Sequence, residues 1–365
     1  MAKLARSALS EAQEGIAPRG TAEGADELDH VPAHPLDQGP PIDRRALPAD
    51  GDGRAFLVRL FGWSMVWLFP AYLASTVLSL SFNYPGPEFT SAGGLFQLAL
   101  YAAAIVLAAV LAARARALSL RVDAEHINRF NTYLIRGCFF AVLFVGLGDM
   151  AISFLRVENL LDAVVGGELT TALGRSAFRG PWVHVPLIAA GFVVALFART
   201  LGFHWLALMI VVAELAIVVT RFVFSYEQAF MGDLVRLWYA ALFLFASAYT
   251  LIEEGHVRVD ILYAGFTSRR KGTVNALGTI LLGITLCWTI IVVSFSGASA
   301  VVYGVVSRFE ISQSGFGLYT KYLMAAFLAV FAVTMLFQFV AYLFDAVADR
   351  RGRPGSRIGG AAPAH

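Results

Sequence analysis

The chain has 365 residues, 58% of them hydrophobic and only 15% charged, with a formal net charge of +2 and a mean hydropathy of +0.67. A soluble domain carries about 45–50% apolar and about 25% charged residues, so a soluble α/β enzyme is excluded. Two cysteines make no disulfide scaffold, and no basic domain stands apart to bind nucleic acid.

What remains is an all-α, polytopic helical membrane protein. Residues 1–54 lack the basic start, apolar stretch and small-residue cleavage site of a secretory signal. They are rich in Asp, Glu and Pro, with no aliphatic run longer than two residues. Such a segment buries too little apolar surface to offset its ordering entropy, and it reads as a disordered, mildly acidic cytosolic tail. A spanning helix needs roughly 20 apolar residues. In chain order the candidates are 55–82, 95–113, 133–155, 182–198, 203–224, 234–252, 277–302 and 319–344. The sixth is the weakest, because Arg236 lies near its start and it runs into Glu253 and Glu254. Residues 348–365 are rich in Gly, Pro and Arg and read as a second tail.

Lys and Arg in short loops favour the cytoplasmic side. With the N-terminus inside, Arg114, Arg116, Arg121, Arg129, Arg199, Arg258, Arg269, Arg270 and Lys271 fall inside, as do Arg350, Arg351, Arg353 and Arg357. Arg156, Arg175, Arg179, Arg308 and Lys321 fall outside. This thirteen-to-five bias favours eight spans with both termini cytoplasmic. Residues 114–131 carry apolar positions among charges and suggest an amphipathic helix at the inner interface. Residues 156–181 suggest two short surface helices broken at Gly166 and Gly167. Trp63, Trp67, Trp182, Trp205 and Trp238 fall where interfacial anchors belong. Cys138 and Cys287 sit in apolar runs and read as buried small hydrophobes.

Ionisable groups inside spans are costly and usually functional. Arg136 and Arg236 lie near span ends, where they can snorkel. Asp149 lies in the outer part of the third span. Glu214 is at mid-span, in VVAELAIVV, with Arg221 two turns further on the same face. Glu214 reads either as a coupling-ion or proton site or as a polar contact to a neighbouring helix or partner subunit. A haem site requires paired His in spans; only His184 and His204 come near, at ends assigned to opposite sides. The sequence contains no HExxH, CxxC, GxSxG or phosphate-cradling Gly loop, so no cofactor, metal or catalytic residue is expected.

After the sixth span the chain reads Glu253-Glu254-Gly255-His256-Val257-Arg258-Val259-Asp260. Gly255 suits a helix C-terminus, His256 and Arg258 suit its carbonyl end, and Asp260 can cap a following helix, ILYAGFTSRRK. This run resembles the Gly-His-Val/Ile-Arg-Val-Asp run of the small membrane subunit (DctQ family) of tripartite ATP-independent periplasmic (TRAP) transporters. Arg221-Phe222-Val223-Phe224 resembles that family's Arg-aromatic ending of its first helix. Asp233 takes the place of an outer acidic residue, Ser314-Gly315-Phe316-Gly317 resembles its outer loop, and Gln338 matches a Gln of its last helix. The family's Trp and Pro at the entry to that helix are replaced by Tyr319 and Lys321.

The resemblance implies a DctQ-like four-helix membrane domain over 201–347, preceded by an additional four-helix region over 55–200. It implies a non-enzymatic inner-membrane scaffold that binds a large permease (M) subunit, with a periplasmic substrate-binding protein delivering an organic acid for sodium-driven uptake. Gly255, His256, Arg258 and Asp260 would shape the inner turn. Glu214, Arg221, Asp233 and Gln338 would make partner-interface or intramembrane polar contacts. The alternative is a stand-alone secondary transporter using Glu214 and Asp149.

Overall fold

The computed structural model describes residues 47–200, 202–226, 228–252, 261–311 and 317–355. The helices in chain order are α1 Gly53–Phe82, α2 Ala92–Arg114, α3 Leu120–Val157, α4 Leu161–Val165, α5 Gly167–Leu173, α6 Ser176–Arg179 and α7 Val185–Phe197. They continue as α8 Phe203–Val223, α9 Ala229–Ile252, α10 Ile261–Ala264, α11 Ser268–Gly278, α12 Thr285–Phe295, α13 Tyr303–Ser307 and α14 Lys321–Arg350. One wide π-type turn joins α6 to α7 over Gly180–His184, and a second joins α11 to α12 over Thr279–Ile284. Counting each joined pair as one run, eight helical segments among the described residues are long and apolar enough to cross a membrane. Among the described residues there is no strand.

Local chemistry sets the ends. Ser91 opens α2 by accepting the Gly94 N–H at 3.0 Å, and Asn83 closes α1 in the left-handed region, φ 51°. Pro181 has no N–H to give and stands where the α6–α7 run widens into its π-turn. The loop after α3 breaks at Gly166, φ +83°, giving the two short helices expected there.

The long helices α3 and α14 form an antiparallel central pair. Arg121 near the start of α3 reaches Asp349 near the end of α14; Asn131 reaches Thr334; Asp149 reaches Tyr319, just ahead of α14. Two hydrophobic clusters flank this pair. One gathers Phe139, Phe245, Trp238, Leu206 and Phe327. The other gathers Leu120, Ile127, Cys287, Ile291, Leu336 and Phe344. Small residues let the helices close up. A Cβ on Gly191 of α7 would strike the Ala141 backbone of α3, and one on Gly62 of α1 would lie 2.6 Å from the Phe344 ring of α14. A Cβ on Gly272 of α11 would lie 2.5 Å from the Arg350 backbone nitrogen. Helix α2 packs on α1, and α8 packs mainly on α9 and α3, leaving most of its surface outward.

Three expectations change. Residues 120–131 do not form a separate interfacial helix: they are the first turns of α3, because Leu120, Ala124 and Ile127 are buried in the second cluster. At 38 residues, α3 is about 57 Å long at 1.5 Å per residue and outreaches a hydrocarbon core of about 30 Å. Arg269, Arg270 and Lys271 belong to the first turn of the seventh spanning run rather than to the helix begun at Ile261, which stops at Ala264. Trp238 is not an interfacial anchor. It is fully buried against Gly146 and donates its indole N–H to the Val142 carbonyl at 3.2 Å. Trp182 and Trp205 are exposed, as an anchor requires, and Cys138 and Cys287 are buried.

Candidate functional site

The polar side chains inside this apolar bundle fall into three groups. At the end where α1 and α3 begin and α14 finishes, Arg59 donates to Asp123 at 2.7 Å and to the carbonyls of Asp50 and Leu118 at 2.7 and 2.6 Å. Asp50 accepts the Leu120 N–H at 3.2 Å and Arg353 Nε at 2.8 Å. Arg121 donates to Asp349 at 2.7 Å, to Asp345 at 3.4 Å, and to the carbonyls of Pro354 and Arg353 at 2.7 and 3.0 Å. Arg351 forks onto Asp52 at 2.7 and 3.2 Å. Arg59 and Arg121 are fully buried. This clasp ties the segment before α1 and the segment after α14 to the start of α3. Its outer pair titrates: the Arg351 guanidinium, hydrogen-bonded to Asp52, holds that carboxyl below its ordinary value.

At the opposite end Asp149 is fully enclosed. It accepts from Arg179 Nη1 at 2.8 Å, His184 Nε2 at 3.0 Å and the Tyr319 N–H at 2.8 Å. His184 Nδ1 lies 2.6 Å from the Tyr322 hydroxyl. Arg179 also donates to the Leu173 carbonyl at 3.0 Å, and its guanidinium stands 4.1 Å over the Tyr319 ring. With the hydroxyl donating to Nδ1 and Nε2–H donating to the carboxylate, a neutral imidazole fits between them, and Asp149 and Arg179 cancel each other's charge. A buried pair of this kind stabilises only when its remaining hydrogen bonds are met; Asp149 meets that condition, whereas Arg179 Nη2 is buried without a hydrogen-bond partner. The lock joins α3, the α6–α7 run and the entry to α14.

The third group faces outward. Glu214 is exposed on α8, among exposed Val211, Val212, Leu215, Val218 and Phe222. It is 11 residues from one end of α8 and nine from the other, so about 16 and 14 Å from them at 1.5 Å per residue. A glutamate side chain cannot snorkel that far. A charged carboxylate at this depth costs about 2.5–3.5 kcal/mol on an insertion scale if nothing pairs with it. Arg221 is also exposed. Among the described residues neither has a hydrogen-bond or ion-pair partner.

The sequence-derived site residues therefore do not converge. Glu214 and Arg221 lie on the outer face of α8. Asp233 accepts the Leu318 N–H at 3.2 Å and stands 3.5 Å from Arg236, fastening the start of α9 to the approach of α14. Gln338 is buried, 3.5 Å from Asn131 of α3. Gly255, His256, Arg258 and Asp260 lie outside the described residues. Arg136 donates to the carbonyls of Ala195 and Arg199 at 3.4 and 3.5 Å, around the C-terminus of α7, where a cation is favoured. Asp149 and Glu214 share no site, since one is enclosed and the other faces out. His184 has both ring nitrogens engaged, and His204 stacks on Phe203. Sequence reading missed Arg59, Arg121, Asp123, Arg179, Asp345 and Asp349. Only the last two carry a local signal, two carboxylates four residues apart on one helix face.

Eight apolar helical spans and charges spent on interhelical locks define a multi-pass helical membrane protein. Residues 208–349, which run from within α8 into the last turn of α14, match the family model described as "Tripartite ATP-independent periplasmic transporters, DctQ component". Residues 208–349 are thus similar to the DctQ component, and four further spanning segments precede them. The family is a component of transporters rather than of enzymes. No curated protein and no solved structure matches the chain.

Proposed function

We propose that this chain is the small subunit of a TRAP transporter in a bacterial inner membrane, with both termini cytoplasmic, and that it holds the large permease subunit in the bilayer. A periplasmic binding protein delivers an organic acid, and a sodium gradient drives its uptake through the permease. The match of residues 208–349 to the DctQ family carries this reading. The chain's own chemistry agrees with it: its buried charges are neutralised in locks between its own helices, as befits a scaffold.

The additional region over 55–200 acts as a buttress, since α3 supplies the long partner of α14. The run Gly255, His256, Arg258 and Asp260 belongs to this proposal as a set of residues that assembly requires. Arg258→Ala lowers recovery of the assembled subunits and leaves the binding protein's own affinity unchanged. Reconstituted vesicles test the reading. Vesicles with this chain and the permease, given the binding protein and an inward sodium gradient, accumulate labelled organic acid; vesicles with this chain alone do not. Uptake by this chain alone would overturn the scaffold role and return Glu214 and Asp149 to consideration as transport groups.

A further inference from the structure

We propose that the outward face of α8 centred on Glu214 docks a transmembrane helix of the large permease that presents a lysine or arginine at mid-depth. The inference rests on the subunit reading above and adds the place and chemistry of contact. Three observations carry it.

The first is depth. Glu214 stands near the middle of a 21-residue helix, too far from either end for its carboxylate to reach water. The second is the missing partner. Every other acidic side chain within the described spanning segments is paired to an Arg or to a backbone N–H: Asp123 to Arg59, Glu125 to Arg129, Asp149 to Arg179, Asp233 to Leu318, Asp349 to Arg121, with Asp345 beside Arg121. Glu214 alone in that set faces away from the bundle. The third is the setting. Val211 is 63% exposed, Leu215 60% and Phe222 78%, so the carboxylate is rimmed by a continuous apolar stripe of a helix attached to the bundle along one side only. Apolar packing around a central polar contact is how membrane helices associate.

A second copy of this chain does not fit that face. In a two-fold dimer about an axis normal to the membrane, each residue of the α8 seam meets its own equivalent. Glu214 would oppose Glu214, and Arg221 would oppose Arg221. Charge complementarity therefore requires a different helix, with a cation opposite Glu214.

The test co-expresses the tagged chain with the permease encoded beside it and places a photo-crosslinking residue at Val211→benzoyl-phenylalanine or Val218→benzoyl-phenylalanine. Leu282→benzoyl-phenylalanine, on the exposed side of the seventh run, serves as control. The expected result is a crosslink to the permease from 211 and 218, mapping within one helical turn of a Lys or Arg in a permease span, and none from 282. Glu214→Lys should lower permease recovery roughly tenfold or more through like-charge burial. Glu214→Gln should lower it less, with the chain still inserted and monodisperse. Permease recovery by the wild-type chain, with no crosslink from 211 or 218 and no effect of Glu214→Lys, would overturn the docking face and leave the subunit reading standing. Crosslinks to lipid only, to a second copy or to another protein would also overturn it. If the wild-type chain recovers no permease at all, both readings fall together.

Discussion

Asp149 and Arg179 stand 30 positions apart in the chain, and each meets in the other the charge that lets it leave water. Removing one member of such a pair strands the other, at a cost of about 3–5 kcal/mol. Asp149→Ala should therefore lower the thermal midpoint in mild detergent by many degrees. The double variant Asp149→Leu with Arg179→Met should lose less than Asp149→Leu alone, because no unpaired charge remains. Additive losses would show that the two side chains act separately. At the clasp, Asp52 is held below its ordinary value by Arg351, so its contribution is present above the unfolded carboxylate's pKa, about 3.9, and is lost as pH falls through the lower folded value. The small difference in midpoint between the wild type and Asp52→Asn should persist at neutral pH and vanish in strong acid. Asp149 was legible as an embedded charge, but its partners were not. Arg179 reads as a loop cation until the α6–α7 run folds it back onto α3.

Helix by helix, hydropathy found all eight spans, because apolar length is a property of the local sequence. It misjudged where polar turns stay helical. The first turns of α3 carry Arg121, Asp123, Glu125 and Arg129, which read as interface; packing of Leu120 and Ile127 and the Arg59 and Arg121 bridges keep them in the helix. The contacts between helices depend on residues with no side chain. Gly191→Ala would drive a Cβ into the Ala141 backbone, which cannot rotate aside. The expected result is a separation of α7 from α3 and a loss of about 1–3 kcal/mol, read by thermal unfolding. Gly166→Ala meets no atom within 4 Å but must hold φ +83°, so it should cost less, through backbone strain alone. Equal losses at the two positions would contradict this account of the α3–α7 contact.

For the whole molecule, the DctQ domain and the helices before it share their buried surfaces. Helix α14 is covered by α3 and α1 as well as by α9, α11 and α12, and its Gln338 and Asp349 face partners on α3. A chain beginning at residue 201 would expose these groups to lipid, and it should be recovered from membranes in far lower yield than the full chain. Equal yield and equal thermal stability would show the additional helices to be dispensable. The resemblance to the DctQ component was legible chiefly in one six-residue run, whereas the interlocking of the two halves was not, because it depends on side chains more than 200 positions apart.

The central claim is that this chain is one subunit of a larger carrier. Its most direct test is purification of the tagged full chain in mild detergent, co-expressed with its genomic neighbours, followed by mass determination of the intact assembly. The expected result is a large hydrophobic permease at one copy per copy of this chain. A homogeneous assembly containing only this chain, folded and active in transport by itself, would contradict it.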